Sequence, residues 1–208
     1  MSDKSLAILD SIYNQALDGL VGQDSIEELA RNYLKTSGSL EEQVDDLIRI
    51  QVAKCSVAGF MTGLGGLIAL PITLPADLAA NFFIQIRMVG AIAYMGGHDI
   101  RSDQVRTAIY LALCGGATSE VLRNAGIKCV ENIASQIIQK QSTKAILDQI
   151  NKAVGIKLIT QAGGKGAVNL TKLVPLLGGI VGAVFDGVYT NKVGDIAKKY
   201  FIENHKRR

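Results

Sequence analysis

Tryptophan is absent, and five phenylalanines and six tyrosines are all the aromatic rings in 208 residues. Surfaces that stack nucleic-acid bases need more rings than this, so no nucleic-acid partner is expected. Three cysteines, an odd number, exclude a disulfide scaffold. Cys55, Cys114 and Cys129 each sit among apolar or small neighbours, as buried thiols of a reducing compartment do. With two histidines and three scattered cysteines there is little from which to build a zinc site, and no cofactor is expected. Only three prolines interrupt the chain, and no alternating strand pattern of useful length occurs. The start, Met1-Ser2-Asp3-Lys4, lacks the basic and apolar regions of a secretory signal, which points to the cytoplasm.

What is present is apolar, glycine-rich and helical. Hydrophobic residues make up 48% and glycines number 22, which excludes a disordered chain or a charged coiled coil. Apolar residues recur at threes and fours almost throughout. The period predicts an all-α, compact bundle of about seven or eight helices. Ser25-Ile26-Glu27-Glu28 and Ser39-Leu40-Glu41-Glu42 each fit a capping box and open helices two and three. A helix over about 75–95 carries only Asp77 and Arg87 as charges, so it belongs at the centre of a bundle or in lipid. Burying Arg87 in lipid costs roughly 2.5–3.5 kcal/mol, which favours the bundle. Further helices are expected over 102–114, from 118 or 119 to about 137, from 142 to about 163, and from 171 to the basic end.

Charge is distributed unevenly. Residues 1–50 hold ten acids and four bases, whereas residues 139–208 hold four acids and twelve bases. The chain divides into an acidic amphipathic head, residues 1–38, and a body, residues 39–208, with a basic C-terminal helix. The basic end can attract anionic lipid or the protein's own acids.

Two stretches carry no charge at all, residues 55–76 and 173–185. The first is as long as a bilayer span, but Pro71 and Pro75 argue against one straight helix. Cys55, Gly59 and Gly63, and again Gly179, Ala183 and Gly187, stand four apart. Each set forms a flat stripe on one helix face, against which another helix backbone packs closely. The helices at 55–66 and 176–190 are therefore expected to pack on the helix at 75–95.

Asp77, Asn81 and Gln85 form a polar stripe on that helix. His98-Asp99 follows a glycine pair and could supply a general base with its orienting acid, although no nucleophile stands at a known spacing. Asp186 lies beside the second charge-free stretch, where a charge is costly unless paired. Asp77, Arg87, His98, Asp99, Arg106 and Asp186 are the expected members of a buried polar network. Gly163-Gly164-Lys165-Gly166 lacks the spacing of a phosphate loop.

The ordered string Gly59-Phe60-Met61-Thr62-Gly63-Leu64-Gly65-Gly66, Leu74-Pro75-Ala76-Asp77, Gln85-Ile86-Arg87, Gly97-His98-Asp99-Ile100 and Val105-Arg106-Thr107 resembles the bacterial EcsC family. The segment from Pro175 to Gly187 and the amphipathic helix after it resemble that family's C-terminal part. The likeness covers about residues 40–205. It implies an α-helical protein working near the membrane, because the family's founding operon also encodes a transporter. It implies no catalytic residue. Three functions follow: a non-enzymatic protein docked on or partly inserted in the inner membrane and supporting an envelope, transport or secretion process; a soluble adaptor holding a basic partner through its acidic head; and a hydrolase using His98, Asp99 and a buried carboxylate. For the first, the partner is an anionic membrane surface or a membrane protein complex.

Overall fold

The computed structural model describes residues 2–20, 22–56, 76–128, 133–139, 142–162 and 180–203, without the side chains at 2, 56, 76–78, 160–162 and 180–186. The described residues are helical, with no strand among them. Among the described residues nine α-helices follow in order: α1 Ser2–Asp18, α2 Ile26–Leu34, α3 Leu40–Ser56, α4 Ala76–Met95, α5 Asp103–Leu113, α6 Thr118–Asn124, α7 Ile133–Ile138, α8 Lys144–Ala162 and α9 Ile180–Phe201. Gly59, Gly63 and Gly179 lie outside the described residues. Gly187 lies on α9 and is buried.

Local chemistry sets the helix ends. The Ser25 hydroxyl accepts from the Glu28 amide, while the Glu28 carboxylate accepts from the Ser25 amide at 2.9 Å. Ser39 and Glu42 repeat the arrangement ahead of α3. Each box satisfies two amides that a helix start leaves open. Gly126 ends α6 in the left-handed region, at φ +70°, with the Ile127 amide returning to the Leu122 carbonyl. The single helix expected from 118 to 137 is thus two, because one left-handed glycine satisfies the last carbonyls and turns the chain.

α4 is the axis of the bundle. It packs against α1, α2, α3, α5 and α9. From Ala79 to Ala93 every residue but Asn81 is buried. That explains its lack of an amphipathic face: a helix surrounded by helices has no side left for water. Residues 1–38 do not form a separate layer. Leu9, Ile12, Tyr13 and Ala16 of α1 and Ile26 and Ala30 of α2 are buried to within 1% and share one core with α4 and α5.

The register of α9 orients the bundle. Lys198 Nζ lies 2.6 Å from Asp45 Oδ1, and Gly194 faces Ile48. The two helices therefore run antiparallel. Gln85 of α4 donates to the Thr190 hydroxyl at 3.0 Å, and Gly96 approaches the Phe201 carbonyl. α4 and α9 therefore run parallel. It follows that the C-terminal end of α3 and the N-terminal ends of α4 and α9 share one end of the bundle. The described chain stops at Ser56 and at Ala162 and resumes at Ala76 and Ile180. The far end holds Met95, Phe201 and the last turn of α2, where Arg31 meets Tyr94.

Candidate functional site

Two polar clusters interrupt the apolar interior. The first surrounds Arg87. Its side chain enters the core midway along α4, and the residue is 2% exposed. Nη1 donates to Gln23 Oε1, a neutral acceptor, at 3.0 Å. The guanidinium lies over the Phe83 ring, 5.4 Å from its centre. Nε is buried and has no hydrogen-bond partner among the described residues. Among the described residues Arg87 has no carboxylate within ion-pair distance. Burial pulls its pKa below the ordinary arginine value, against the pull of the Asp24 carboxylate. Asp24 itself accepts from Asn32 Nδ2 at 3.1 Å. Half-buried Lys54 of α3 is a second cation here: burial lowers its pKa, Arg87 lowers it further, and Asp24 opposes both.

The second cluster joins α1 to α5. Tyr110 donates to Asp10 Oδ1 at 2.7 Å, and Arg106 reaches Asp10 at 4.0 Å and bonds to Asp103. Tyr13 donates to the Ile100 carbonyl, with its ring edge-on to Tyr110 at 5.5 Å. Burial raises the phenol pKa of both tyrosines, and for Tyr110 the neighbouring Asp10 carboxylate adds to it. Tyr13 also feels Arg106, Asp99 and Arg101. Two expected network members, Asp99 and Arg106, therefore both act through their charges on Tyr13, a member of the apolar repeat of the first helix.

The six-residue network does not form as one unit. His98 sits at the far end of the bundle, with Nε2 3.1 Å from the Phe201 carbonyl and its ring edge-on to Phe201. A carbonyl only accepts, so Nε2 carries a proton. Position 77 stands eighteen residues before Met95 on α4, roughly 27 Å at 1.5 Å per residue. Position 186 is about 22 Å from Phe201 on α9 by the same rise. Neither acid can reach His98, which removes the carboxylate that the hydrolase reading requires. Asp99 is exposed and accepts from the Arg101 amide at 2.9 Å, a turn ahead of α5. The side chains of Asp77 and Asp186 lie outside the described residues. Among those residues no group of three or more His, Cys, Asp or Glu converges as a metal site would require.

The acidic first fifty residues find basic partners within the chain. Asp3 pairs with Lys152 at 3.0 Å and Asp45 with Lys198 at 2.6 Å, so part of the charge asymmetry is internal complementarity. Close helix packing uses glycines outside the expected stripes. A methyl group on Gly90, Gly155 or Gly194 would stand 3.0 Å or less from Ile26, Leu6 or Ile48.

The EcsC protein family model matches residues 4–203, nearly the whole chain and including the acidic head. No curated protein matches the chain. No solved structure matches it.

Proposed function

The chain belongs to the EcsC protein family, and from that premise we propose that it is a non-enzymatic, membrane-associated helical protein that supports an envelope, transport or secretion process. In this reading one end of the bundle faces the lipid. The observation that carries it is the convergence of Ser56, Ala76 and Ile180 at one end of the bundle, read from the α3–α9 and α4–α9 registers. Those three residues border or lie within the two charge-free stretches of the sequence, 55–76 and 173–185. Both runs therefore join the folded body on the same side. Val188, three residues beyond the second run, is 67% exposed, the most exposed large apolar side chain described. No described helix is long and apolar enough to cross a membrane, so the reading is of docking or partial insertion rather than of a spanning bundle. Lys165 and Lys172, which stand in the sequence between Ala162 and Ile180, supply attraction to anionic headgroups, about 1 kcal/mol for each cation near the surface.

Flotation with vesicles of phosphatidylcholine alone, and of phosphatidylcholine with phosphatidylglycerol, tests the reading. The protein should rise with the anionic vesicles. Recovery in the soluble fraction with both compositions would contradict it. Salt washes then separate surface attraction, which salt weakens, from insertion, which resists carbonate.

A further inference from the structure

The turn that closes α6 borders a cleft of about 460 Å³, lined by Ser119, Arg123, Gly126, Ile127 and Lys128. Small-molecule sites commonly fall between about 300 and 1,000 Å³. Ser119 and Arg123 stand one helical turn apart and share a face of α6. Gly126, at φ +70°, then bends the chain and brings Lys128 back to the same cleft. A Cβ built at Gly126 would meet nothing within 4 Å, so that wall is open backbone. Half-buried Ile127 adds apolar surface, while Arg123 and Lys128 are exposed. Two duties that commonly occupy such cations are filled by other groups. Among the described residues neither has a carboxylate within ion-pair distance. Glu120, three residues before Arg123, holds Lys157 Nζ with both carboxylate oxygens, at 2.8 and 2.7 Å. Cations at a helix C-terminus also serve its last carbonyls. Here the Val121, Leu122 and Arg123 carbonyls accept from the amides of Ala125, Ile127 and Gly126. Two positive side chains are thus left facing one partly apolar space.

We infer that this cleft binds an organic phosphate monoester, its phosphate held by Arg123 and Lys128 and its organic part lying on Ile127. A phosphate monoester carries close to two negative charges near pH 7, which one guanidinium and one ammonium match. The guanidinium offers paired donors to two oxygens, and the ammonium acts as a point charge beside them. The apolar lining and a volume well beyond one oxyanion favour an ester over inorganic phosphate. The monoester is either a small free molecule or a lipid headgroup of the same chemistry. No covalent step is involved. The cleft lies outside both charge-free stretches, so the inference does not rest on the membrane reading.

Titration of the isotope-labelled full chain with glycerophosphate, followed by amide chemical shifts, tests it. Amides between Ser119 and Lys128 should shift and saturate with a dissociation constant of about 1 mM or below. Glycerol at the same concentration should move none of them, and inorganic phosphate should bind more weakly than the ester. Arg123→Gln and Lys128→Gln should each weaken glycerophosphate about fivefold to tenfold. Both side chains are exposed, so the melting midpoints should stay within about 2 °C of wild type. Lys128 lies beyond the end of α6, so its variant keeps the test valid if Arg123→Gln disturbs the helix. No saturable shift between Ser119 and Lys128 overturns the inference. So do shifts that neither substitution weakens, shifts spread equally over Lys144, Lys152 and Lys199, or inorganic phosphate binding as tightly as the ester. Vesicles of phosphatidylcholine with phosphatidic acid identify the source, with phosphatidylcholine alone as control. Competition with glycerophosphate assigns the cleft to a lipid headgroup; glycerophosphate binding without competition assigns it to a free monoester.

Discussion

Replacing Gly194 by alanine separates two opposing effects whose signs differ. Gly194 is buried on α9 against Ile48 of α3. The added methyl would lie 2.8 Å from both Cγ1 and Cγ2 of Ile48 and 3.1 Å from Cδ1. Favourable carbon contacts begin near 3.5 Å, so the helices must part by roughly 0.5 Å or more, or Ile48 must leave its rotamer. A β-branched side chain in a helix has one strongly preferred χ1, and Ile48 is only 4% exposed, so it has little room to yield. Overpacking of this kind costs about 1–3 kcal/mol. Alanine returns about 1 kcal/mol through helix propensity. The net expectation is a loss of about 1 kcal/mol, or roughly 2–4 °C in the melting midpoint. Urea unfolding of wild type, Gly194→Ala, Ile48→Ala and the double variant measures it. Ile48→Ala alone costs about 2–5 kcal/mol. The double variant should cost less than the two added together by at least about 1 kcal/mol, because the new methyl fills the space that Ile48 vacates. A Gly194→Ala protein more stable than wild type by about 1 kcal/mol would show propensity acting alone, and would refute the close α3–α9 contact.

Tyr110→Phe removes the 2.7 Å bond to Asp10 and should cost about 1–2 kcal/mol in urea unfolding; no loss would mean that the α1–α5 cluster is decorative. The raised phenol pKa values of Tyr13, Tyr110 and Tyr189 favour the neutral form in the fold. Their contribution is complete below the unfolded tyrosine value near 10 and is lost as pH climbs above it, so tyrosinate absorbance should lag in the native protein and appear with alkaline unfolding. Burial pushes the Cys114 thiol up to about 12, so alkylation at pH 8 should be slow in native protein and fast in denaturant, read by peptide mass spectrometry. Deleting residues 1–38 should abolish cooperative melting, because Leu9, Ile12, Tyr13 and Ile26 leave the shared core; a body that still melts sharply would make the head a separate unit.

Those outcomes follow from packing that the sequence reveals unevenly. The Ser25 and Ser39 caps and the place of α4 at the bundle axis were legible, because each depends on neighbours in the chain or on missing charge. The break at Gly126 was not: the apolar residues on either side stay in phase, and a lone glycine does not announce a left-handed turn. A spacing of four picks out Gly179, Ala183 and Gly187. On α9 the buried small residues Gly187, Thr190, Gly194 and Ala197 instead alternate spacings of three and four, which keeps them on one face of the helix. The contacts of Gln23 with Arg87 and of Asp10 with Tyr110 join residues 64 and 100 positions apart, and no local pattern carries such distances. Arg87 stood out as the one charge inside an apolar helix, but only packing reveals that its partner is an amide.

The most direct measurement attaches an environment-sensitive dye through Val188→Cys, and in a second protein through Leu34→Cys, with Cys129 replaced by serine in both. Val188 borders the end proposed to meet lipid, while Leu34 closes α2 at the other end and is also exposed. On adding phosphatidylglycerol vesicles, the dye at 188 should shift to the blue and brighten while the dye at 34 stays unchanged. Equal responses at the two positions, or a response confined to 34, would contradict the account.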